Sequence, residues 1–188
     1  TVDYGNAATA PLDPSRTGYT FTGWDKDFDS ISSDITIKAV YAINSYTITF
    51  DTAGGSNVES LTQDFDTDIT APADPEKEGY TFTGWTPVLP SKMPAEDSNI
   101  TALWNINQYE LKVKYIMEDG SVAPDVNISF VEYNSEYSVE SPKISGYRPD
   151  IKIVSGIMGT QNLEIEVTYI KTIVEYSNTD DKTNVEVD

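Results

Sequence analysis

The sequence predicts a strand-dominated α+β chain assembled from small tandem modules. Three observations carry this. The heptad Gly-Tyr-Thr-Phe-Thr-Gly-Trp stands at residues 18–24 and recurs unchanged at 79–85. Apolar and polar residues alternate in Leu111/Val113/Tyr115 and in Leu163/Ile165/Val167/Tyr169, the period of half-buried strands. No long stretch keeps a 3.6-residue period, so helix is confined to short crossings, with residues 91–99 holding one turn.

The repeat sets the order of the elements. Thr1 aligned with Thr62 pairs Asp3 with Asp64, Pro11 with Pro72, Pro14 with Pro75, Gly18 with Gly79 and Trp24 with Trp85. After the heptad each copy runs through a polar stretch to a short strand, at 35–41 and at 99–104. The joints repeat too: residues 41–50 resemble 104–113, each with an aromatic, Ile-Asn, one polar residue, Tyr and an alternating strand. Links this short, without Gly or Pro, leave little freedom, so neighbouring modules are expected to stack as an elongated, semi-rigid rod.

The third segment, about 108–171, reads as strands around 109–116, 128–133, 136–140, 144–154 and 163–170. Turns are expected at Glu118-Asp119-Gly120 and at 155–160. Gly146-Tyr147 echoes the Gly-Tyr of the heptads. Residues 172–188 read as a β-tail or the start of a further module. The expected boundaries are 1–44, 45–106, 107–171 and 172–188.

Within the heptad, strand alternation puts Tyr19 with Phe21 and Tyr80 with Phe82 on one face. Strict alternation would send Trp24 and Trp85 to the other face. Glycine in a strand often marks a bulge that re-aims the next side chain, so Gly23 and Gly84 are expected to turn the tryptophans over the core edge. Gly18 and Gly79 close the preceding loop, which Pro11, Pro14, Pro72 and Pro75 stiffen. The heptad is therefore read as scaffold. The competing reading is a sugar-binding platform of exposed rings.

The residues 46–56 (Tyr-Thr-Ile-Thr-Phe-Asp-Thr-Ala-Gly-Gly-Ser), the heptad and the terminal Ile-Thr-Ala-Leu-Trp at 100–104 together resemble the Listeria–Bacteroides repeat, the internalin B-repeat type of module. Residues 1–41 match only from the heptad onward and lack the opening strand. Residues 108–171 resemble the MucBP-type module of Gram-positive surface proteins, through Val113–Ser121, Ile144–Asp150 and Glu164–Ile170. These resemblances imply β-grasp-like (ubiquitin-like) modules along a bacterial cell-surface protein. A first module without its opening strand has an open edge, which a strand exchanged with a neighbouring chain would fill.

Composition bounds the chemistry. The net charge is −19, from 31 acidic and 12 basic residues, which disfavours nucleic acid and anionic membrane as partners. No apolar run reaches membrane-spanning length, so no insertion by this segment is expected. No charged-then-apolar leader opens the chain, and its start on Thr1-Val2-Asp3-Tyr4 is expected to be a cut within a larger protein. Cysteine and histidine are both absent. That removes disulfides, thiol nucleophiles, the commonest metal ligand and the usual acid–base group near neutral pH.

The remaining candidates are few. Asp25/Asp27/Asp29 and Asp64/Asp66/Asp68 alternate, and a strand would array each trio on one face, an oxygen cluster of the kind that suits Ca²⁺. No EF-hand pattern accompanies them, and Asp64, Asp66 and Asp68 align with Asp3, Gly5 and Ala7, so the trio does not recur. A solvated acidic face is preferred. Lys112 or Lys114 with Asn162 are the pieces of a Lys–Asn cross-link, read here as exposed strand residues. No nucleophile elbow or P-loop is present. The expectation is a non-catalytic chain with no cofactor and no metal, and with no assignable ligand-binding residue. It is a stalk and adhesion segment on the bacterial surface or wall, meeting host protein or glycan. The alternative is a carbohydrate-binding accessory module of a surface enzyme, using Tyr133, Tyr137, Tyr147 or a tryptophan.

Overall fold

The computed structural model describes residues 1–123 and 126–172; the expectation for 172–188 therefore lies, beyond Thr172, outside the described residues. The chain divides into two compact units: Thr1–Glu76 with Phe82–Leu103, and Lys77–Thr81 with the chain from Trp104 onward. Among the described residues every regular element is a strand. The α+β expectation is thus corrected to all-β. The physical reason lies in the connections: the segment that links the second repeat's strands carries Pro72 and Pro75, which break helical hydrogen bonding. Residues 91–99 hold no helical turn either, and Met93 within them is a core residue instead.

The first repeat contains β1 (Tyr19–Trp24) and β2 (Ala39–Ile43), an antiparallel pair. Its register shifts between Phe21 and Gly23, with Gly23 at φ 142°, so the expected bulge is present. Trp24 is half-buried and its ring lies edge-on to Phe21, centroids 5.4 Å apart. The strand expected at 35–41 begins its ladder only at Ala39. Among the described residues, no neighbouring strand pairs with 35–38, and side chains serve their backbone in part. Lys38 N donates to Asp25 Oδ1 at 2.6 Å, and Lys26 Nζ donates to Thr36 O at 2.9 Å.

The second repeat contains β3 (Ser45–Asp51), β4 (Leu61–Asp64), β5 (Tyr80–Thr86) and β6 (Ser98–Ile106), in sheet order β4-β3-β6-β5. β3 pairs antiparallel with β4 and parallel with β6, Ile48 opposite Ser98 and Phe50 opposite Ile100. Ile48, Met93 and Ile100 form its buried centre, ringed by Tyr46, Phe50, Leu61, Ile69, Trp85 and Leu89. Trp85 covers the edge of this core as expected, packing edge-on to Phe50 and Phe82 at 5.0 and 5.2 Å.

The third module contains β7 (Gln108–Met117), β8 (Asn127–Glu132), β9 (Glu136–Glu140), β10 (Tyr147–Pro149), β11 (Ile153–Ile157) and β12 (Leu163–Lys171). A four-stranded sheet runs β10-β12-β7-β8, and β9 pairs separately with β11. β12 lies parallel to β7, as β6 lies parallel to β3. Ser155, Gly156 and Ile157 belong to β11, where the sequence suggested a turn, and Met158 just beyond is buried. The core holds Leu111, Val113, Tyr115, Ala123, Val154, Met158, Val167 and Tyr169.

Tyr169 is fully buried and donates its hydroxyl to Pro142 O. Burial, and then Tyr115 beside it, hold this phenol above its ordinary 10.0. The unfolded chain therefore ionises Tyr169 first. Its contribution is complete below about pH 10 and is lost as pH rises through the folded value. Urea titrations of the chain between pH 8 and 11.5 should show the third module's stability falling above about pH 10. Tyr169→Phe should cost about 1 kcal/mol at pH 8, the usual worth of one hydrogen bond, and flatten that alkaline fall. An equally steep fall in the variant would count against this role.

Candidate functional site

The functional geometry is a glycine socket that occurs twice with an aromatic ring in it. It is built from a tight turn, an extended exit strand and a ring from the next hairpin. In the first unit, Tyr19 N donates to Arg16 O at 3.0 Å, which closes the turn that holds Gly18 at φ 76°. Asn44 N, just past β2, donates to Gly18 O at 2.9 Å, and Phe65 N donates to Asn44 O at 2.9 Å. The Phe65 ring then lies on Gly18: a Cβ there would stand 2.1 Å from Phe65 Cδ1.

The second unit repeats these bonds. Tyr80 N donates to Lys77 O at 3.0 Å, Asn107 N to Gly79 O at 2.9 Å, and Tyr133 N to Asn107 O at 2.9 Å. Gly79 sits at φ 75°, and a Cβ on it would stand 2.0 Å from Tyr133 Cδ1. The heptad tyrosines meet the inserted rings edge-on in both places, Tyr19–Phe65 and Tyr80–Tyr133 each at 6.1 Å and 79°. A threonine hydroxyl locks the asparagine side chain in both, Thr20 to Asn44 and Thr81 to Asn107, each at 2.6 Å. A cation covers the outer face of each tyrosine: the Arg16 guanidinium lies 3.7 Å from the Tyr19 ring centre, and Lys77 Nζ 4.4 Å from that of Tyr80.

The corner that delivers each ring is also duplicated. The residue after the aromatic is left-handed, Asp66 at φ 63° and Asn134 at φ 58°, residue types that tolerate αL. Asp66 N donates to Met93 O and Met93 N to Thr67 O; Asn134 N donates to Met158 O and Met158 N to Ser135 O. Met93 and Met158 are thus equivalent core anchors behind the two corners.

The aromatic residues weighed as a sugar platform are engaged in packing. Tyr133 fills the Gly79 socket. Tyr137 and Tyr147 pack on the third core, and the three tryptophans are half-buried. Neither acidic trio lies on a strand face, because β1 ends at Trp24 and β4 at Asp64. Asp25 caps Lys38 N, Asp27 accepts from Asp29 N, and Asp64 accepts from Ser45. Asp66 and Asp68 pair with Lys92 at 3.5 and 3.3 Å, which raises the Lys92 pKa, chiefly through the bond to Asp68. Among the described residues no group of three or more acidic side chains is arranged to hold a metal. Lys112 and Lys114 both pair with Glu164, and Asn162 Oδ1 accepts from Glu110 N. The bond from Lys114 lowers the Glu164 pKa and raises that of Lys114. Both lysines and the asparagine thus have polar partners other than one another.

Sequence reasoning missed Phe65 and Tyr133 as ring donors. The one available signal is an aromatic followed by Asp or Asn, in Phe65-Asp66 and Tyr133-Asn134. The first repeat also presents an open cleft of about 510 Å³, lined by Val2, Tyr4, Phe28, Ile31, Ile35 and Ile37 among others. Ile37 aligns with Ile100, which β3 helps to bury in the second repeat; among the described residues the first repeat has no such strand.

A profile of the Listeria-Bacteroides repeat domain matches residues 1–44 and 46–101. A relative from Evansella cellulosilytica carrying a provisional membrane-protein name is 31% identical over 73% of this chain and 23% of its own length. Internalin H of Listeria monocytogenes is 38% identical over 45% of this chain and 17% of its own. The chain thus spans about a fifth of the length of these relatives. Among solved structures, the type 2 repeat of the mucus binding protein MUB from Lactobacillus reuteri overlays with a TM-score of 0.30 and 14% identity, over 69% of this chain and 100% of that one. With its profile matched over more than half of the residues, the chain belongs to the Listeria-Bacteroides repeat domain family.

Proposed function

We propose that the chain is a non-catalytic stalk and adhesion segment of a bacterial cell-surface protein, displayed outside the cell and meeting host protein or glycan. The observation that carries this reading is the duplicated glycine socket. The most distinctive residues of the sequence serve packing: the heptad glycines lie beneath the rings of Phe65 and Tyr133, and the heptad tyrosines meet those rings edge-on. The family membership and the Internalin H relative support a surface location. The charge of −19 supports a stalk that stays solvated and unassociated. The half-buried state of Tyr133, Tyr137, Tyr147 and the three tryptophans favours this over a carbohydrate-binding accessory module. Small-angle scattering tests it: duplicating residues 45–107 should lengthen the particle by one module. A radius that grows as for a compact sphere, or glycan-array binding abolished by tyrosine replacement, would favour the alternative.

The open side of β2 is part of the same proposal. It accepts a parallel strand of the kind that β3 supplies in the second repeat, with alternating Tyr, Ile and Phe. Residues 45–61 end where Thr62 aligns with Thr1. Fusing a copy of 45–61 ahead of Thr1 should bury Ile37 and slow amide exchange across 35–41 by about tenfold or more. Unchanged exchange there would eliminate the strand site.

A further inference from the structure

The glycine turn occurs a third time, in the third module. Tyr147 N donates to Ile144 O at 3.1 Å, as Tyr19 does to Arg16 and Tyr80 to Lys77. Gly146 sits at φ 76°, against 76° and 75° for Gly18 and Gly79. Thr172 N donates to Gly146 O at 2.7 Å, the bond that Asn44 and Asn107 make in the other two. The strand registers agree as well: Tyr147 lies opposite Lys171, and Tyr19 opposite Ile43, each just before the donating residue. One feature differs. Gly18 and Gly79 are buried beneath their rings, whereas Gly146 keeps partial exposure.

We propose that Gly146, Tyr147 and Thr172 form a third socket, and that the partner it fits is another module of this same repeat type. The occupant is an aromatic side chain at a hairpin corner, followed by Asp or Asn in the left-handed conformation. The two filled sockets define that chemistry. The ring lies flat on the Cβ-less glycine, the tyrosine meets it edge-on, and its backbone N–H bonds the carbonyl of the residue that caps the glycine. Thr172, whose N–H caps Gly146 O as Asn44 and Asn107 cap Gly18 and Gly79, is the residue whose carbonyl corresponds to the acceptors of this bond. The third socket differs in its lock, because Arg148 and Thr172 replace the threonine–asparagine pair. It therefore holds its ring by stacking and backbone bonding, without the side-chain bond found in the other two.

The test extends the full chain. A second copy of residues 108–172 is inserted between Thr172 and Ile173, and the Gly146 Hα resonances are followed by NMR. A ring stacked on a glycine shifts its Hα protons upfield, so Gly18 and Gly79 serve as internal standards. The expected result is that Gly146 moves upfield into their range on insertion. Replacing the inserted counterpart of Tyr133 by Ala should return it. An inserted copy of residues 45–107, which offers the counterpart of Phe65, provides a second occupant should the first fail to fold. Gly146 resonances unmoved beside a folded insert, or moved equally by the Ala form, would overturn the proposal.

Discussion

Gly79→Ala is expected to destabilise the chain by about 3 kcal/mol, far more than a surface glycine replacement. Two costs combine. An alanine at φ 75° is strained by about 1–2 kcal/mol. Its Cβ would also stand 2.0 Å from the Tyr133 ring, which no contact tolerates. The ring cannot simply lift, because Tyr133 N is bonded to Asn107 O and the next residue is locked left-handed. The second cost is separable. In a Tyr133→Ala background the same replacement should cost only the backbone strain, so a double-mutant cycle should yield a coupling of about 1–2 kcal/mol. Gly18 with Phe65 should behave alike. Gly23→Ala and Gly84→Ala are the controls: both glycines have positive φ, but nothing lies within 4 Å of a Cβ there. Urea titration followed by tryptophan fluorescence measures all of these. Equal costs for Gly79→Ala with and without the Tyr133 ring would refute the socket.

Ile48→Ala should unfold the second repeat while leaving the third module folded. Its side chain is fully buried between Met93 and Ile100, and those three residues are the buried centre of that repeat. Truncating a buried isoleucine costs about 2–5 kcal/mol. A module of about 60 residues has little more than that in reserve. Among the described residues the third core has eight buried side chains of its own. Hydrogen exchange should lose protection at 45–51 and 98–101 while Leu111, Val113 and Val167 keep theirs. Simultaneous loss in both regions would mean that the units unfold as one, and a cost below about 1 kcal/mol would mean that the site collapses freely.

Much of the fold was legible because strands and bulges are local. Alternation located β7 and β12, and Gly23 announced the turn of Trp24, since one extra residue in a strand reverses its face. Proline should have argued harder against helix between the parallel strands. The stretch 155–160 misled because its glycines suggested a turn where Gly156 lies within a paired strand, against Tyr137.

The amino-acid sequence by itself determined the repeat, the strand periods and the lack of histidine and cysteine chemistry. These come from residue identity and near-neighbour spacing. Only the tertiary structure decided why Gly18 and Gly79 must be glycine. The rings that cover them come from Phe65 and Tyr133, a whole hairpin later in the chain, and stacking across that distance leaves no period for a sequence to display.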